Sequence, residues 1–323
     1  MKILIAGGAG YVGSALVPKL LDRGYEVTVL DLLWFGKQLP ASVPVLEQDI
    51  LSIREEELRG VDQVIFVAGL SNDPMADYSP AKNFVSNAAC PAYLAYVAKR
   101  AGVRRFIYAS SCSVYGYTEN ELYDEDAPAV SAYPYGISKL QGESAVLQMR
   151  GPEFSVIALR KGTVGGYSPR MRLDLVVNTM FKTAIVDGVI RVNNPSIWRP
   201  ILAMQDAVAA YTRAVECSDG ISGIFNVASG NYTLGEIADF VRDGVREFLG
   251  IDPKLQINHL SDIRNYKVSI ERAQRTLSFK PRSTVVDIVK DLVDHRAAFA
   301  DFDNPAYYNI TTFKGLDDAM VAV

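Results

Sequence analysis

The stretch that decides the fold is Lys2-Ile-Leu-Ile-Ala6-Gly7-Gly8-Ala9-Gly10-Tyr11-Val12-Gly13, in which a short apolar run leads into a glycine turn. A helical apolar pattern follows over Val12–Arg23. The glycines fit both G-x-x-G-x-x-G and G-x-G-x-x-G spacing. Such a turn between a strand and a helix lets backbone N–H groups approach a pyrophosphate, so it predicts a dinucleotide site that includes Gly7, Gly10, Tyr11, Val12 and Gly13. A purely structural turn is the alternative, which the strand-turn-helix context disfavours.

Apolar runs rich in β-branched residues alternate with longer helical patterns over the first half of the chain, which predicts βαβ units and a parallel sheet covered on both faces. The predicted strands are Lys2–Ala6, Glu26–Leu30, Val43–Glu47, Gln63–Val67, Arg105–Ser110 and Ser155–Arg160. Helices are expected near Val12–Arg23, Asn83–Ala101 and Tyr135–Met149. The fold class is therefore α/β, a Rossmann doubly wound parallel sheet with a smaller, interleaved C-terminal substrate lobe.

The domain boundary is expected near residue 161. Residues 1–161 would form the NAD-binding domain and residues 162–323 would mainly form the substrate lobe. A helix at Met204–Cys217 and a strand at Gly223–Val227 are expected to return to the sheet, so segments near 200–228 belong with the first domain.

Composition excludes several classes of protein. Among 323 residues, 49% are hydrophobic and 22% are charged, and the net charge of -4 gives no basic footprint for nucleic acid. Three scattered cysteines and two histidines argue against a disulfide framework, a metal site and a Ser-His-Asp hydrolase. No apolar run approaches the roughly 20 residues of a membrane span, and the first residues leave no room for a signal peptide. We expect a cytoplasmic protein without metal, membrane or nucleic-acid partners.

Two aspartates follow predicted strands on the cofactor side. Asp31 ends the second strand, where a carboxylate accepts hydrogen bonds from a ribose hydroxyl and repels a 2′-phosphate. No arginine is adjacent, so NAD is favoured over NADP, with Lys37 leaving NADP as the alternative. Asp49 either accepts from the adenine amino group or caps a loop end, and the sequence favours neither interpretation.

Tyr135-Gly-Ile-Ser-Lys139 places a phenol and an ammonium four residues apart on one helix face, after Pro134. A tyrosine with a pKa near about 10 is a poor base at neutral pH, but the lysine and the positive nicotinamide ring would favour the phenolate. The pattern alone occurs often by chance. It gains weight from the run Ser110–Gly116 after the fifth strand, since strand ends line the ligand crevice and a serine there can bind the same substrate oxygen.

With these motifs the sequence resembles the extended short-chain dehydrogenase/reductase family of NAD-dependent sugar-nucleotide epimerases and dehydratases. The resemblance covers most of the chain and includes Val67-Ala68-Gly69 and Trp198-Arg199-Pro200-Ile201 with Asp206. It implies that Ser111, five residues before Gly116, is catalytic together with Tyr135 and Lys139. It also implies further cofactor residues, namely Ile50, Ala68, Gly69 and Asn87, and substrate residues, namely Ser113, Thr163, Asn178, Arg199 and Arg264, with Asn178 and the two arginines on the substrate diphosphate.

Two positions depart from the family pattern. Family 4,6-dehydratases carry an acidic residue after the catalytic serine or threonine, whereas this chain has Cys112 and Ser113, which argues against such a dehydratase. Cys112 is also displaced from the position of a catalytic cysteine and is interpreted as structural. Lys161 follows the last strand as an unusual cation, either contacting the substrate or lying at the surface.

The resulting hypothesis is an NAD-dependent enzyme that oxidises a hexose carbon, C4, of a nucleotide-diphosphate sugar, as a 4-epimerase. A C4 dehydrogenase or ketoreductase without net epimerisation is the first alternative. The others are a reductase of a non-sugar ketone or lactone precursor and a non-catalytic NAD-binding regulator, which has no need of a proton-transfer pair. Apolar residues on the helices Asn83–Ala101 and Tyr135–Met149, together with the resemblance, predict a homodimer.

Overall fold

The structure is a computed structural model that describes residues 1–259 and 264–321. The strands are β1 Lys2–Ala6, β2 Glu26–Asp31, β3 Val45–Glu47, β4 Gln63–Phe66, β5 Arg105–Ser111, β6 Tyr117–Tyr123, β7 Ser155–Lys161, β8 Thr163–Gly165, β9 Val189–Asn193, β10 Trp198–Ala203, β11 Gly223–Val227, β12 Gly230–Thr233, β13 Lys254–Asn258 and β14 Asn265–Val268. The α-helices are α1 Tyr11–Asp22, α2 Asp73–Tyr78, α3 Pro80–Phe84, α4 Cys90–Arg100, α5 Pro134–Gln148, α6 Val176–Val186, α7 Met204–Glu216, α8 Leu234–Leu249, α9 Glu271–Leu277, α10 Val285–Asp294 and α11 Asn309–Val321.

Seven strands form the main sheet in the order β11-β7-β5-β4-β1-β2-β3, and every pairing is parallel. The chain leaves β1 towards β2 on one side and returns to β4 on the other, so the strand order reverses between β1 and β4. Ligands bind outside the carboxyl ends of the strands at such a reversal. The predicted Rossmann α/β fold is confirmed.

The strands of this sheet are buried on both faces. Ile3, Ile5 and Val29 belong to one core cluster, whereas Leu4 and Leu30 belong to another. Because neighbouring residues of a strand point to opposite faces, each face must be covered by its own helices. Helices α1 and α7 pack together on one face, and α4 and α5 on the other.

The segments after β7 interleave with the main sheet. β11 pairs with β7, so the segment expected to return to the sheet does so, and helix α7 contacts β5. The remaining segments form a three-stranded sheet, β12-β10-β8, and a packed group of helices α6, α8 and α10. β14 pairs with β6, which lies between β5 and α5 in the chain. Among the described residues, no helix is long and apolar enough to cross a membrane.

The helix predicted over Asn83–Ala101 is interrupted by a wide π-helical turn at Val85–Ala89. Pro91 has no N–H, so it cannot donate to the carbonyl of Asn87 four residues earlier, and the hydroxyl of Tyr108 donates to that carbonyl at 2.9 Å instead. Gly142 of α5 approaches the same carbonyl, since a Cβ there would lie 2.1 Å from it. The turn therefore places Asn87 against the catalytic helix.

A substitution at Gly13 tests the close packing of α1 on the glycine turn. A Cβ at Gly13 would lie 2.5 Å from Cα of Gly8 and 2.6 Å from the carbonyl oxygen of Gly7. Because both are backbone atoms, Gly13→Ala must displace the helix, and we expect it to lower the free energy of unfolding by about 1–3 kcal/mol in urea titrations. Gly220→Ala is the control, since a Cβ there meets nothing within 4 Å. Equal stabilities for the two variants would contradict the packing argument.

Candidate active site

A cavity of about 450 Å³ lies at the carboxyl edge of the sheet and collects most of the residues that the sequence analysis singled out. The predicted residues that line it are Gly7, Gly10, Tyr11, Val12, Asp31, Asp49, Ile50, Ala68, Gly69, Ser111, Ser113, Tyr135, Lys139, Lys161, Thr163, Arg199 and Arg264. Gly13, Asn87 and Asn178 do not line it. Gly13 packs beneath the turn, as described above.

The glycine turn leaves backbone exposed at the reversal between β1 and β4. Gly7 has a φ of 81°, and a Cβ there would lie 2.4 Å from the amide nitrogen of Ala68 at the end of β4. Gly10 precedes the first turn of α1 and has no side-chain cap. Free N–H groups at a helix N-terminus, unobstructed by side chains, bind phosphate oxygens. The turn therefore fits the pyrophosphate of a dinucleotide.

Asp31 supports this turn from β2. Its carboxylate accepts from the amides of Ala9 and Leu33, each at 2.9 Å, while burial raises its pKa. Each carboxylate oxygen can accept a further hydrogen bond, so the residue fits a ribose hydroxyl. Lys37, the residue that left NADP open, donates to the carbonyl of Val43 at 3.4 Å and does not line the cavity. Asp49 caps the short helix Ile50–Ser52 at 2.7 Å and also lines the cavity, so its two interpretations are compatible.

Tyr135, Lys139 and Ser111 meet at one end of the cavity. Ser111 ends β5, while Tyr135 and Lys139 lie on the first turns of α5, which begins at Pro134. The ammonium of Lys139 lies 6.0 Å from the ring centroid of Tyr135 and donates to the carbonyl of Ala109 at 3.1 Å. Ser111 accepts from the amide of Ser113 at 3.2 Å. The three side chains predicted to be catalytic are thus grouped around one volume.

The expected effect of Lys139 on Tyr135 is not found in the protein by itself. Burial raises the pKa of Tyr135 to about 12, and a hydrogen bond with Ser111 opposes this increase only in part. Burial also lowers the pKa of Lys139 to about 7, assisted by the charge of Lys161. The sequence analysis assigned this effect to the lysine together with the nicotinamide ring, and in the protein without cofactor the pKa of Tyr135 stays above its ordinary value. A further positive charge beside the phenol, such as an oxidised nicotinamide ring, is needed.

Asn87 lies behind these residues rather than in the cavity. Its amide nitrogen donates to the carbonyl of Leu70 at 2.8 Å and to Oδ1 of Asn83 at 2.7 Å. Its own Oδ1 is buried with no hydrogen-bond partner and lies on the side of Gly69, where a Cβ would be 2.2 Å from it. The side chain supports the cavity wall and does not reach a ligand directly.

Lys161 lies in the cavity beside Ser111, with which it is paired in register across β7 and β5. Burial and the charge of Arg172 lower the pKa of Lys161 to about 8, and no acidic group within the described residues pairs with it. The surface interpretation of Lys161 is therefore wrong. The ammonium is a cation in a largely desolvated pocket.

This burial predicts a pH-dependent cost to stability. Below about pH 8, Lys161 is charged in both the folded and the unfolded states, so the cost of burying the charge is fully present; it falls as the pH rises towards 10.5, where the unfolded lysine also becomes neutral. We expect Lys161→Met to raise the free energy of unfolding by about 1–3 kcal/mol at neutral pH, and by less at alkaline pH, in urea titrations. Lys280→Met, at an exposed lysine, is the control. A gain that did not shrink with pH would rule out this origin.

The two predicted diphosphate arginines lie together at the far side of the cavity. Arg199 donates to the carbonyl of Arg264 at 2.5 Å and lies over the ring of Tyr266, 5.3 Å from its centroid. Arg264 forms an ion pair with Asp73 at the N-terminus of α2. The guanidinium groups thus form a polar wall opposite the glycine turn.

Asn178 was predicted to bind the substrate diphosphate, but it does not line the cavity. It is fully buried in α6, where its amide nitrogen donates to the carbonyl of Arg172 at 2.7 Å and to the hydroxyl of Tyr11 at 3.0 Å. Its Oδ1 accepts from the amide of Gly166 at 3.0 Å. Because these bonds occupy its polar atoms inside the protein, Asn178 joins the substrate segment to α1 and does not contact a ligand in this arrangement.

Comparison with known proteins identifies the family. Residues 3–228 match the model of the NAD dependent epimerase/dehydratase family. The chain belongs to this family. It is 34% identical to the UDP-glucose 4-epimerase of Azospirillum brasilense over 53% of the chain and 51% of that enzyme. It is 24% identical to the UDP-glucose 4-epimerase of Corynebacterium glutamicum over 95% of the chain and 99% of that enzyme.

A solved structure, MoeE5 in complex with UDP-glucose and NAD, superposes with a TM-score of 0.80 at 25% identity, covering 91% of the chain and 98% of MoeE5. Its agreement over nearly the whole length extends the likeness beyond residues 3–228 to the segments that follow the main sheet. The chain therefore shares the fold of MoeE5 over most of its length.

Cys112 follows Ser111 directly, and the sequence analysis interpreted it as structural. Its thiol is buried, does not line the cavity, and donates to the carbonyl of Arg160 at 3.2 Å. Burial raises its pKa far above the ordinary value, so it stays protonated. Ser113 does line the cavity, with its hydroxyl 3.3 Å from that of Tyr266. Cys112 and Ser113 therefore place a buried thiol and a hydroxyl after Ser111.

Among the lining residues that sequence reasoning missed are Arg170, Arg172, Asp174 and Asn309. Arg172 forms a bidentate pair with Asp174, at 2.8 and 2.9 Å, and donates to Ser71 at 2.7 Å. The run Ser168-Pro-Arg-Met-Arg172-Leu-Asp174 carried the available signal, since two arginines and an aspartate at alternating positions are unusual in a buried segment. Within the described residues, no group of His, Cys, Asp or Glu is arranged to hold a metal ion.

Proposed function

We propose that this protein binds NAD and converts a UDP-hexose to its C4 epimer. The observation that carries the proposal is the meeting of Ser111, Tyr135 and Lys139 at the carboxyl edge of the sheet, beside the glycine turn and opposite Arg199 and Arg264. The glycine turn and Asp31 fit a dinucleotide, and the arginines fit a substrate diphosphate, because a guanidinium makes bidentate charge-assisted bonds to phosphate. The two UDP-glucose 4-epimerases among the relatives support this substrate class.

In the proposed reaction, NAD held by the glycine turn and Asp31 would supply a reversible hydride acceptor for the sugar carbon. Tyr135 removes the proton of the C4 hydroxyl, and Ser111 donates a hydrogen bond to the same oxygen as its charge develops. Lys139 holds the cofactor ribose and contributes positive charge beside the phenol. The same groups act in reverse order when the hydride returns to the opposite face of the sugar ring.

Lys161 stands where the oxidised sugar would lie. Lys161 is paired in register with Ser111 and lines the cavity. It has no acidic partner within the part of the chain that the structure describes, so its ammonium can donate a hydrogen bond to a substrate oxygen. Thr163, on the next strand, lines the same region. We propose that both residues hold the sugar while it turns over, and that Ser113 contributes a third polar contact.

The experiment that tests the proposal uses a UDP-hexose labelled with deuterium at C4, incubated with the protein and NAD. A 4-epimerase that returns the same hydride yields the C4 epimer with deuterium retained and no net NADH. Stoichiometric NADH would instead support the dehydrogenase alternative. Loss of water or carbon dioxide from the sugar, or no turnover of UDP-, GDP-, CDP- and dTDP-hexoses, would contradict the epimerase proposal.

We also propose that the protein forms a homodimer through α4 and α5. The two helices pack side by side on one face of the sheet, and Tyr96 of α4 is 51% exposed although its ring is apolar. An exposed aromatic residue on such a helix pair favours an interface between copies. Light scattering coupled to gel filtration measures the mass directly. A monomeric wild type, or a dimer that Tyr96→Glu leaves intact, would contradict the proposal.

A further inference from the structure

Arg170 reaches the cofactor end of the cavity from the segment between β8 and α6. Its backbone amide donates to the hydroxyl of Ser14 at 3.1 Å, and Ser168 donates to the carbonyl of Tyr11 at 2.6 Å. Both contacts are to the first turns of α1, directly after the glycine turn. The segment is therefore fastened to the helix whose N-terminus faces the cavity.

The guanidinium of Arg170 is held in place but is not saturated with hydrogen bonds. It lies 3.5 Å from the ring centroid of Phe35, and its Nη2 donates to Oδ1 of Asn309 at 2.5 Å. The side chain is 4% exposed, and its Nε is buried with no partner. Burial and the charge of Arg172 lower the pKa of Arg170 to about 9.

A buried cation that lines a cavity is stabilised by an anion in that cavity. The charges of Asp174 and Asp31 both act on Arg170, but among the described residues neither carboxylate forms an ion pair with its guanidinium. The anionic part of a dinucleotide that lies on the N-terminus of α1 is its pyrophosphate. We infer that Arg170 binds the pyrophosphate of the cofactor, so that a segment outside the glycine turn clamps the dinucleotide from the opposite side.

Asn309 makes this clamp depend on the C-terminal helix. Besides accepting from Arg170, it donates through Nδ2 to Ser71 at 3.2 Å and through its backbone amide to Asp174 at 3.3 Å. It is the first residue of α11 and also lines the cavity. The helix thus orients the arginine, while the arginine is the group that contacts the cofactor.

The inference rests on the proposed function only for the identity of the cofactor, and binding measurements on nucleotide-stripped protein test it without any turnover assay. Calorimetry would compare wild type, Arg170→Met and Arg170→Lys with NAD, ADP-ribose, NADP and UDP. We expect Arg170→Met to weaken NAD and ADP-ribose by about 10- to 100-fold, and Arg170→Lys to weaken them by less, because a charge-assisted bond to the pyrophosphate is lost or reduced. Asn309→Ala should weaken both ligands in the same direction by a smaller factor.

UDP is the discriminating ligand, because it reports on the substrate side of the cavity. Unchanged UDP affinity alongside weakened NAD affinity supports the inference. Weakened UDP with unchanged NAD would assign Arg170 to the substrate, and a loss confined to NADP would assign it to a 2′-phosphate; either result overturns the inference. If wild type itself binds no NAD, the proposed function fails first. Urea titration of Arg170→Met without ligand is the control for folding, and we expect the variant to be folded under the conditions of the calorimetry.

Discussion

Tyr135→Phe is expected to lower turnover of the UDP-hexose by about 100- to 10,000-fold, the range that a positioned general base contributes. The substitution removes only the hydroxyl that exchanges a proton with the sugar and leaves the ring beside Lys139. Affinities for NAD and UDP should stay within a few-fold of wild type, so the loss should lie in kcat. Steady-state kinetics and calorimetry together separate the two effects.

Tyr211→Phe is the matched control. Tyr211 is also a fully buried tyrosine, and its hydroxyl has no hydrogen-bond partner, but it does not line the cavity. Removing that hydroxyl should leave turnover unchanged and stability equal or slightly higher, since a buried unsatisfied polar group is lost. Comparable turnover in Tyr135→Phe and wild type would contradict the assignment of Tyr135 as the base.

The pKa of Tyr135 also fixes the sign of the pH dependence. Burial raises that pKa to about 12, so the phenolate is a minor form at neutral pH even before the effect of the cofactor. Because only the phenolate accepts the proton, kcat/KM should rise as the pH is raised from neutral until the group is titrated. A profile that falls over this range would indicate a different base.

The fold could be predicted from the sequence because its determinants are local. Continuous apolar runs identified the strands of the main sheet, and the glycine turn fixed where the first helix begins. The sequence predicted an uninterrupted helix over Asn83–Ala101 and did not predict the π-helical turn at Val85–Ala89. Pro91 and Gly142 are far apart in sequence, yet together they produce the π-helical turn, because one removes a hydrogen bond and the other allows a close approach.

The site was predicted less completely because side-chain direction and burial depend on distant partners. Asn178 has a residue type suited to a ligand, but Tyr11 and Arg172 occupy its amide group. Arg170 and Asn309 are separated by 139 positions and meet only through the fold. The pKa of Tyr135 likewise depends on how deeply the surrounding segments bury it, which the spacing from Lys139 does not reveal.

The ion pair of Arg160 and Glu143 beneath the site should give the largest effect on stability. Arg160 donates to both oxygens of Glu143, at 2.9 and 2.6 Å, and to the hydroxyl of Tyr115 at 2.8 Å, with both charged side chains at most 4% exposed. Arg160→Met leaves the Glu143 carboxylate buried with the hydroxyl of Ser110 as its remaining partner. We expect the free energy of unfolding to fall by about 3–5 kcal/mol in urea titrations at neutral pH.

Two further variants show whether Arg160→Met loses stability because an attraction is lost or because the Glu143 carboxylate is left buried without a counter-charge. Arg104→Met removes an exposed arginine from the same region and should cost under about 1 kcal/mol. Arg160→Met combined with Glu143→Leu removes both charges and should recover most of the stability, because the main cost of the single variant is the buried, unpaired carboxylate. A double variant no more stable than the single one would contradict this explanation and mean that the attraction within the pair itself stabilises the sheet.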